Sequence, residues 1–153
     1  MKKILFICTG NTCRSPMLMF MFARYAAEKA IDVEVDSAGV KGGGSPLNPY
    51  AAETLAERGI QGEEAERFRS KVFDAALAAK SDLVITMTEE QKDLLNAQFP
   101  DVRAECVSLL SGEEIDDPYG KGAEAYRKVA NLFDGLLEKI AERVRAHAGA
   151  SIK

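Results

Sequence analysis

The chain has 153 residues, 46% of them hydrophobic and 29% charged, with a net charge of −4. That size fits a single domain, residues 1–153, with one substantial core, and the composition is that of a globular protein rather than a disordered one. The acidic balance argues against a general nucleic-acid binder, which needs a basic surface, and no apolar stretch approaches the roughly 18 residues that span a membrane.

Met1-Lys2-Lys3 leads into the apolar run Ile4-Leu5-Phe6-Ile7. The run is shorter than a signal-peptide core of about 7–15 residues, so a cytoplasmic location is expected. Residues 3–7 read instead as a first strand, apolar enough to be buried on both faces. A helix is expected over 15–29, capped by Ser15 with Pro16 in its first turn. Met17, Met21 and Tyr25 repeat every fourth residue, with Phe20 beside them. A second strand covers 33–36. The stretch 40–49, with Gly42-Gly43-Gly44 and two prolines, is a surface loop.

Pro49 starts a helix that ends near Gly59. Residues 61–71 are highly charged and read as loop, followed by a short helix over 73–79. Leu83-Val84-Ile85 is a third strand. Thr88 and Gln91 form a capping-box pair ahead of a helix over Glu89–Gln98, which Pro100 ends. A fourth strand is expected over 105–109 and a loop over 111–121. Residues 123–145 read as one long helix, whose stripe includes Val129, Phe133, Leu136, Ile140 and Val144. Strands alternating with helices imply an α/β fold: a single-domain open four-stranded parallel sheet flanked by helices. Such sheets bind ligands at the carboxyl ends of their strands, where Cys8 lies.

The octet Cys8-Thr9-Gly10-Asn11-Thr12-Cys13-Arg14-Ser15 joins the first strand to the first helix. Its C-x5-R spacing lets one loop supply a sulfur nucleophile, a nest of backbone N–H donors and a forked guanidinium for a phosphate-like dianion. A helix N-terminus and Arg14 both favour the ionised sulfur, and Ser15 adds a hydroxyl donor. Gly10 permits a positive φ and close approach to an anion, and Asn11 tolerates the left-handed region. Any one of these features alone is ordinary: a buried small hydrophobe, a turn, a chance spacing. Their coincidence in this order is not.

Cys8, Cys13 and Cys106 are the only cysteines and His147 the only histidine. They form no disulfide framework and lack C-x-x-C spacing, so neither a metal nor another cofactor is expected.

The string Ile7 to Met17 closely resembles the phosphate-binding loop of low-molecular-weight protein phosphatases. Asp36-Ser37-Ala38-Gly39 and Asp117-Pro118-Tyr119 match two further elements of that pattern, in order, across essentially the whole chain. The resemblance implies that Cys8 attacks phosphorus to form a phosphocysteine. Arg14 would hold two phosphoryl oxygens, and the backbone N–H groups of Thr9, Gly10, Asn11, Thr12, Cys13 and Arg14 would take the others, with Ser15 beside them. Asp117 would protonate the leaving group and then activate water; Asp116 is its neighbouring competitor. Tyr119 would wall the pocket, and Asn11 with Ser37 would hold the loop's shape. Cys13 stands either as a reversible disulfide partner of Cys8 or as simple packing.

The chain departs from the common pattern at Leu18-Met19, where many members carry Ala-Glu, and at Phe68, near which many carry a supporting His. Phosphotyrosine members usually have an aliphatic residue at the position of Thr12, whereas members resembling protein-arginine phosphatases have Thr. Phosphoarginine in proteins is therefore the expected substrate, with phosphotyrosine as the alternative. An arsenate reductase would need more relay thiols than Cys106 can supply. The expected partners are phosphorylated proteins, with no nucleic acid and no membrane, met by a monomer.

Overall fold

The first apolar run forms the centre of the sheet. In a computed structural model that describes residues 2–152, with side chains described through His147, β1 (Lys2–Cys8) pairs in parallel with β2 (Val33–Gly39) on one side and β3 (Leu83–Thr86) on the other. A short β4 (Glu105–Cys106) extends the parallel sheet to the order β2-β1-β3-β4. Ile4, Leu5, Phe6 and Ile7 are buried because both faces of β1 are covered.

The alternation of side chains along β1 divides the core in two. Ile4, Phe6 and Cys8 face α1 (Arg14–Glu28), α2 (Pro49–Glu57), α7 (Ala123–Asp134) and α8 (Leu137–Ile152), packing with Met17, Leu18, Phe22 and Phe133. Leu5 and Ile7 face the opposite layer, with Phe73, Val84 and Leu95; Leu95 comes from α5 (Glu89–Gln98). Chain order reverses direction across the sheet at β1, so the loops after β1 and β3 leave a crevice between them at their carboxyl ends.

Five local expectations are corrected. Ser15 does not cap α1: Cys13 holds the N-cap position without a side-chain cap bond, while the Ser15 hydroxyl is engaged with Cys8 and Asn11. The charged stretch 61–71 contains a helical turn, α3 (Glu63–Arg67), with three glutamates in its first turn where the helix dipole favours them. The helix expected over 73–79 is α4 (Ala75–Lys80), because the Asp74 carboxylate accepts from Leu77 N–H at 2.9 Å and Phe73 is drawn into the core.

The fourth strand stops at Cys106. After Val107 N–H bonds Thr86 C=O at 2.9 Å, β3 has ended, and the chain coils into α6 (Ser108–Ser111), closed by Gly112 at φ 83°. The long last helix is two helices. At Gly135, a poor helix former, the ladder tightens: Leu136 N–H bonds Phe133 C=O at 2.9 Å, and α8 restarts from Leu136. No helix among the described residues is long and apolar enough to cross a membrane.

Candidate active site

Cys8 ends β1, and its sulfur lies at the floor of the loop, only 2% exposed. Two polar groups converge on it: Asn11 N–H donates at 3.3 Å, and the Ser15 hydroxyl lies 3.0 Å away. The left-handed position is Asn11, at φ 58°, rather than Gly10, which does not take a positive φ. Turning the chain there aims the Asn11 amide back at the sulfur.

The Asn11 side chain is fully buried and fully bonded. Its Nδ2 donates to the hydroxyls of Ser15 and Ser37, each at 2.9 Å, and its Oδ1 accepts from Lys71 N–H at 3.0 Å. This side chain thus ties the loop to β2 and to the segment before α4. Lys71 supplies the backbone donor in a chain that has Phe68, rather than a histidine, just before it. Its ammonium bonds Asp36 at 2.6 Å, and the other oxygen of Asp36 accepts from Ser37 N–H at 2.8 Å.

Gly39 completes the packing. A β-carbon there would lie 2.7 Å from Thr9 C=O, 2.9 Å from Lys41 C=O and 3.1 Å from Asn11 N, all backbone atoms. No side chain fits without moving the loop.

Arg14 and Asp117 meet from opposite ends of the sequence. Arg14 is 5% exposed; its Nη1 donates to Ile115 C=O at 2.8 Å and its Nη2 lies 3.9 Å from Asp117 Oδ2. Ile115 is itself fixed by its N–H to Met87 C=O at 3.0 Å. The guanidinium therefore spans the 8–15 loop and the 111–121 loop. Asp117 is 58% exposed, and its Oδ1 accepts from Tyr119 N–H at 3.1 Å, an Asx turn before the next helix. Both Asp116 and Asp117 line a cleft of about 370 Å³ with Thr9, Arg14, Lys41 and Gln91. The Tyr119 ring, 70% exposed, lies outside that lining. A larger cavity, about 550 Å³, shares both aspartates but no residue of the 8–15 loop.

Cys13 has its bonding partners in Tyr126 and Thr12. Its sulfur lies 3.4 Å from the Tyr126 hydroxyl and 3.7 Å from Thr12 Oγ1. Burial pushes the Cys13 thiol up, against the lowering effect of the Tyr126 hydrogen bond, and burial likewise pushes the Tyr126 phenol up. All three cysteines are unbridged. Thr12 is half-buried, and its carbonyl accepts from Asn48 N–H at 3.0 Å, the residue that caps α2.

Three residues around the loop escape a reading of local sequence. Gln91 is visible as a capping-box residue, but its bond to Thr9 across 82 positions is not. Lys71 acts through its backbone N–H, which has no sequence signature. Gly39 had a signal, the Ser-Ala-Gly string that ends β2, but the close approach behind it appears only in three dimensions.

The chain as a whole has counterparts in known proteins. The family model described as low molecular weight phosphotyrosine protein phosphatase matches residues 3–149. The protein-arginine-phosphatase of Bacillus subtilis (strain 168) is 32% identical over 148 residues, covering 93% of this chain and 96% of that protein. The solved YwlE arginine phosphatase from Geobacillus stearothermophilus superposes with a TM-score of 0.83 at 32% identity, covering 95% of this chain and 94% of that one. A low molecular weight protein tyrosine phosphatase from T. tengcongensis gives a TM-score of 0.85 at 34% identity, covering 94% of this chain and 99% of that one.

Proposed function

The chain belongs to the low molecular weight phosphotyrosine protein phosphatase family, and we propose that it removes phosphate from phosphoarginine in proteins through a phosphocysteine intermediate. The observation that carries the mechanism is the 3.9 Å approach of Arg14 to Asp117, more than a hundred residues apart, on one cleft beside the loop whose floor holds the Cys8 sulfur.

The Cys8 sulfur attacks phosphorus as the bond from phosphorus to the guanidino nitrogen breaks. Arg14 and the backbone N–H groups of residues 9–14 hold the equatorial oxygens while charge redistributes over them. Asp117 gives its proton to the leaving nitrogen. Its carboxylate then takes a proton from water as that water's oxygen attacks the phosphocysteine, releasing phosphate and restoring the sulfur. The Ser15 hydroxyl and Asn11 N–H, already bonded to the sulfur, stabilise it as leaving group in the second step.

Thr12 supports phosphoarginine over phosphotyrosine. Thr12 lies in the 8–15 loop beside Cys13, outside the side chains that line the Asp117 cleft, and a β-branched hydroxyl residue there offers polar contact where an aliphatic side chain would favour an aromatic ring. The 32% identity to a Bacillus protein-arginine-phosphatase supports the same choice. On this reading the protein works as a monomer on phosphorylated proteins in the cytoplasm.

Assays of matched phosphoarginine and phosphotyrosine peptides test the substrate. Thr12→Ile is expected to shift the preference toward phosphotyrosine. An unchanged ratio would remove Thr12 from the argument, and a much higher kcat/KM for phosphotyrosine in the unaltered enzyme would overturn the substrate.

A further inference from the structure

Gln91 has a second task beyond starting a helix. It is 3% exposed, and its side chain is bonded at both ends. Oε1 accepts from Met87 N–H and Thr88 N–H, each at 3.0 Å, and Nε2 donates to Thr9 Oγ1 at 3.0 Å. The amide's orientation is fixed by chemistry: two backbone N–H donors face one end, so that end must be the oxygen. The end facing Thr9 must then be the nitrogen, and the Thr9 hydroxyl must be its acceptor.

A hydroxyl that accepts from Gln91 keeps its own proton and one lone pair for other partners. Thr9 is half-buried, and both Thr9 and Gln91 line the cleft that holds Arg14 and Asp117. Thr9 directly follows the nucleophile. In the loop the backbone N–H groups take the phosphoryl oxygens, so a side chain on the cleft wall meets what lies beyond them, the leaving group.

We propose that Gln91 is a positioning residue that fixes the Thr9 hydroxyl as a polar wall contact for the leaving group of the substrate. The inference rests on the phosphatase reading of the 8–15 loop and deepens it. A guanidino group carries N–H donors around its whole edge, and the free lone pair of Thr9 accepts one of them. An aromatic leaving group gains nothing from that lone pair. Thr9 and Gln91 thus form a second determinant for phosphoarginine, separate from Thr12.

The test is a double-mutant cycle read on both peptides. Gln91→Glu keeps an acceptor for Met87 and Thr88 and so preserves the capping box, but replaces the donor that faces Thr9 with an acceptor. Gln91→Met removes the donor without adding charge, and thermal melts identify whichever variant is folded. Thr9→Val removes the hydroxyl at constant shape, and Thr9→Ser retains it.

Gln91→Met is expected to lower kcat/KM about tenfold on phosphoarginine peptide, the scale of one hydrogen bond lost in the transition state, and far less on phosphotyrosine peptide. Gln91→Glu, whose carboxylate accepts from the Thr9 hydroxyl and leaves the Thr9 lone pairs to the guanidino group, is expected to lose less than Gln91→Met on phosphoarginine. On the Thr9→Val background the Gln91 change should have almost no further effect, and Thr9→Ser should stay near the unaltered enzyme. Additive losses of equal size on both peptides would overturn the proposal, since a purely structural role moves both substrates together. Cys8→Ser separates the two readings. If it abolishes turnover while the cycle is additive, the phosphatase reading stands and only the Gln91 role fails.

Discussion

Asn11 is the residue whose removal should cost most for its size. Its buried side chain makes three hydrogen bonds, to Ser15, Ser37 and Lys71, from a backbone at φ 58°. Asn11→Ala deletes all three and leaves Lys71 N–H without its acceptor. At about 1 kcal/mol net per bond, with about 1 kcal/mol more for holding alanine in the left-handed region, the loss is ~4 kcal/mol. For a chain of this length that corresponds to a fall in Tm of ~8–16 °C. The same change frees the amide that bonds the Cys8 sulfur and the hydroxyl of Ser15, so kcat should fall ~100-fold, the range seen when one preorganised donor is lost.

Urea melts give the stability, and steady-state kinetics on a phosphoarginine peptide give the rate. Asn11→Gly separates the terms: it loses the same bonds without the steric penalty, so it should be the more stable of the two variants. A loss below about 1 kcal/mol with kcat intact would refute this view of the loop, and alanine proving more stable than glycine would refute the conformational part.

Other perturbations probe separate links. Gly39→Ala places a β-carbon against three backbone atoms at 2.7–3.1 Å and should cost about 1–3 kcal/mol in a urea melt while lowering kcat/KM. Asp117→Asn should lower kcat by roughly 10²–10⁴ with a smaller change in KM, and should flatten the limb of the pH–rate profile that reports the acid. Glu89 titrates at about 2 in the folded chain, held there first by the Lys92 hydrogen bond and then by the Ser108 hydroxyl, below its ordinary 4.5. A depressed carboxyl stabilises fully above the unfolded value, and that stabilisation is lost as pH falls toward 2. Acid-unfolding curves of Glu89→Gln should therefore converge with those of the unaltered chain below about pH 2. A constant gap between the two curves down to that pH would contradict the assignment.

Much of the fold could be read from local pattern because local physics decides it. The run Ile4–Ile7 has one environment open to it, a strand covered on both faces, and the Thr88–Gln91 capping box begins α5 where the pattern places it. The misreadings occur where a neighbour decides. The strand expected over 105–109 ends at Cys106 because β3 has no further residues to pair with it. The stripe over 123–145 is continuous in sequence, yet Gly135 lets the chain tighten and both halves remain buried.

The proposed reacting groups were legible for a different reason. Cys8, Arg14 and Ser15 sit in one octet, so their chemistry is written at short range. Asp117 required a resemblance to connect it to them, and the 3.9 Å approach to Arg14 supplies the geometry. The supports of the loop are backbone atoms or residues tens of positions away: Lys71 N–H, Gly39 and Gln91. Tyr119, expected as a pocket wall, is largely exposed and lies outside the lining of the cleft.

The most direct test is kcat/KM for one peptide sequence bearing phosphoarginine or phosphotyrosine at the same position, measured on the same enzyme preparation. A higher value for phosphoarginine, abolished by Cys8→Ser, is the expected result. A higher value for phosphotyrosine, or turnover that survives Cys8→Ser, would contradict it.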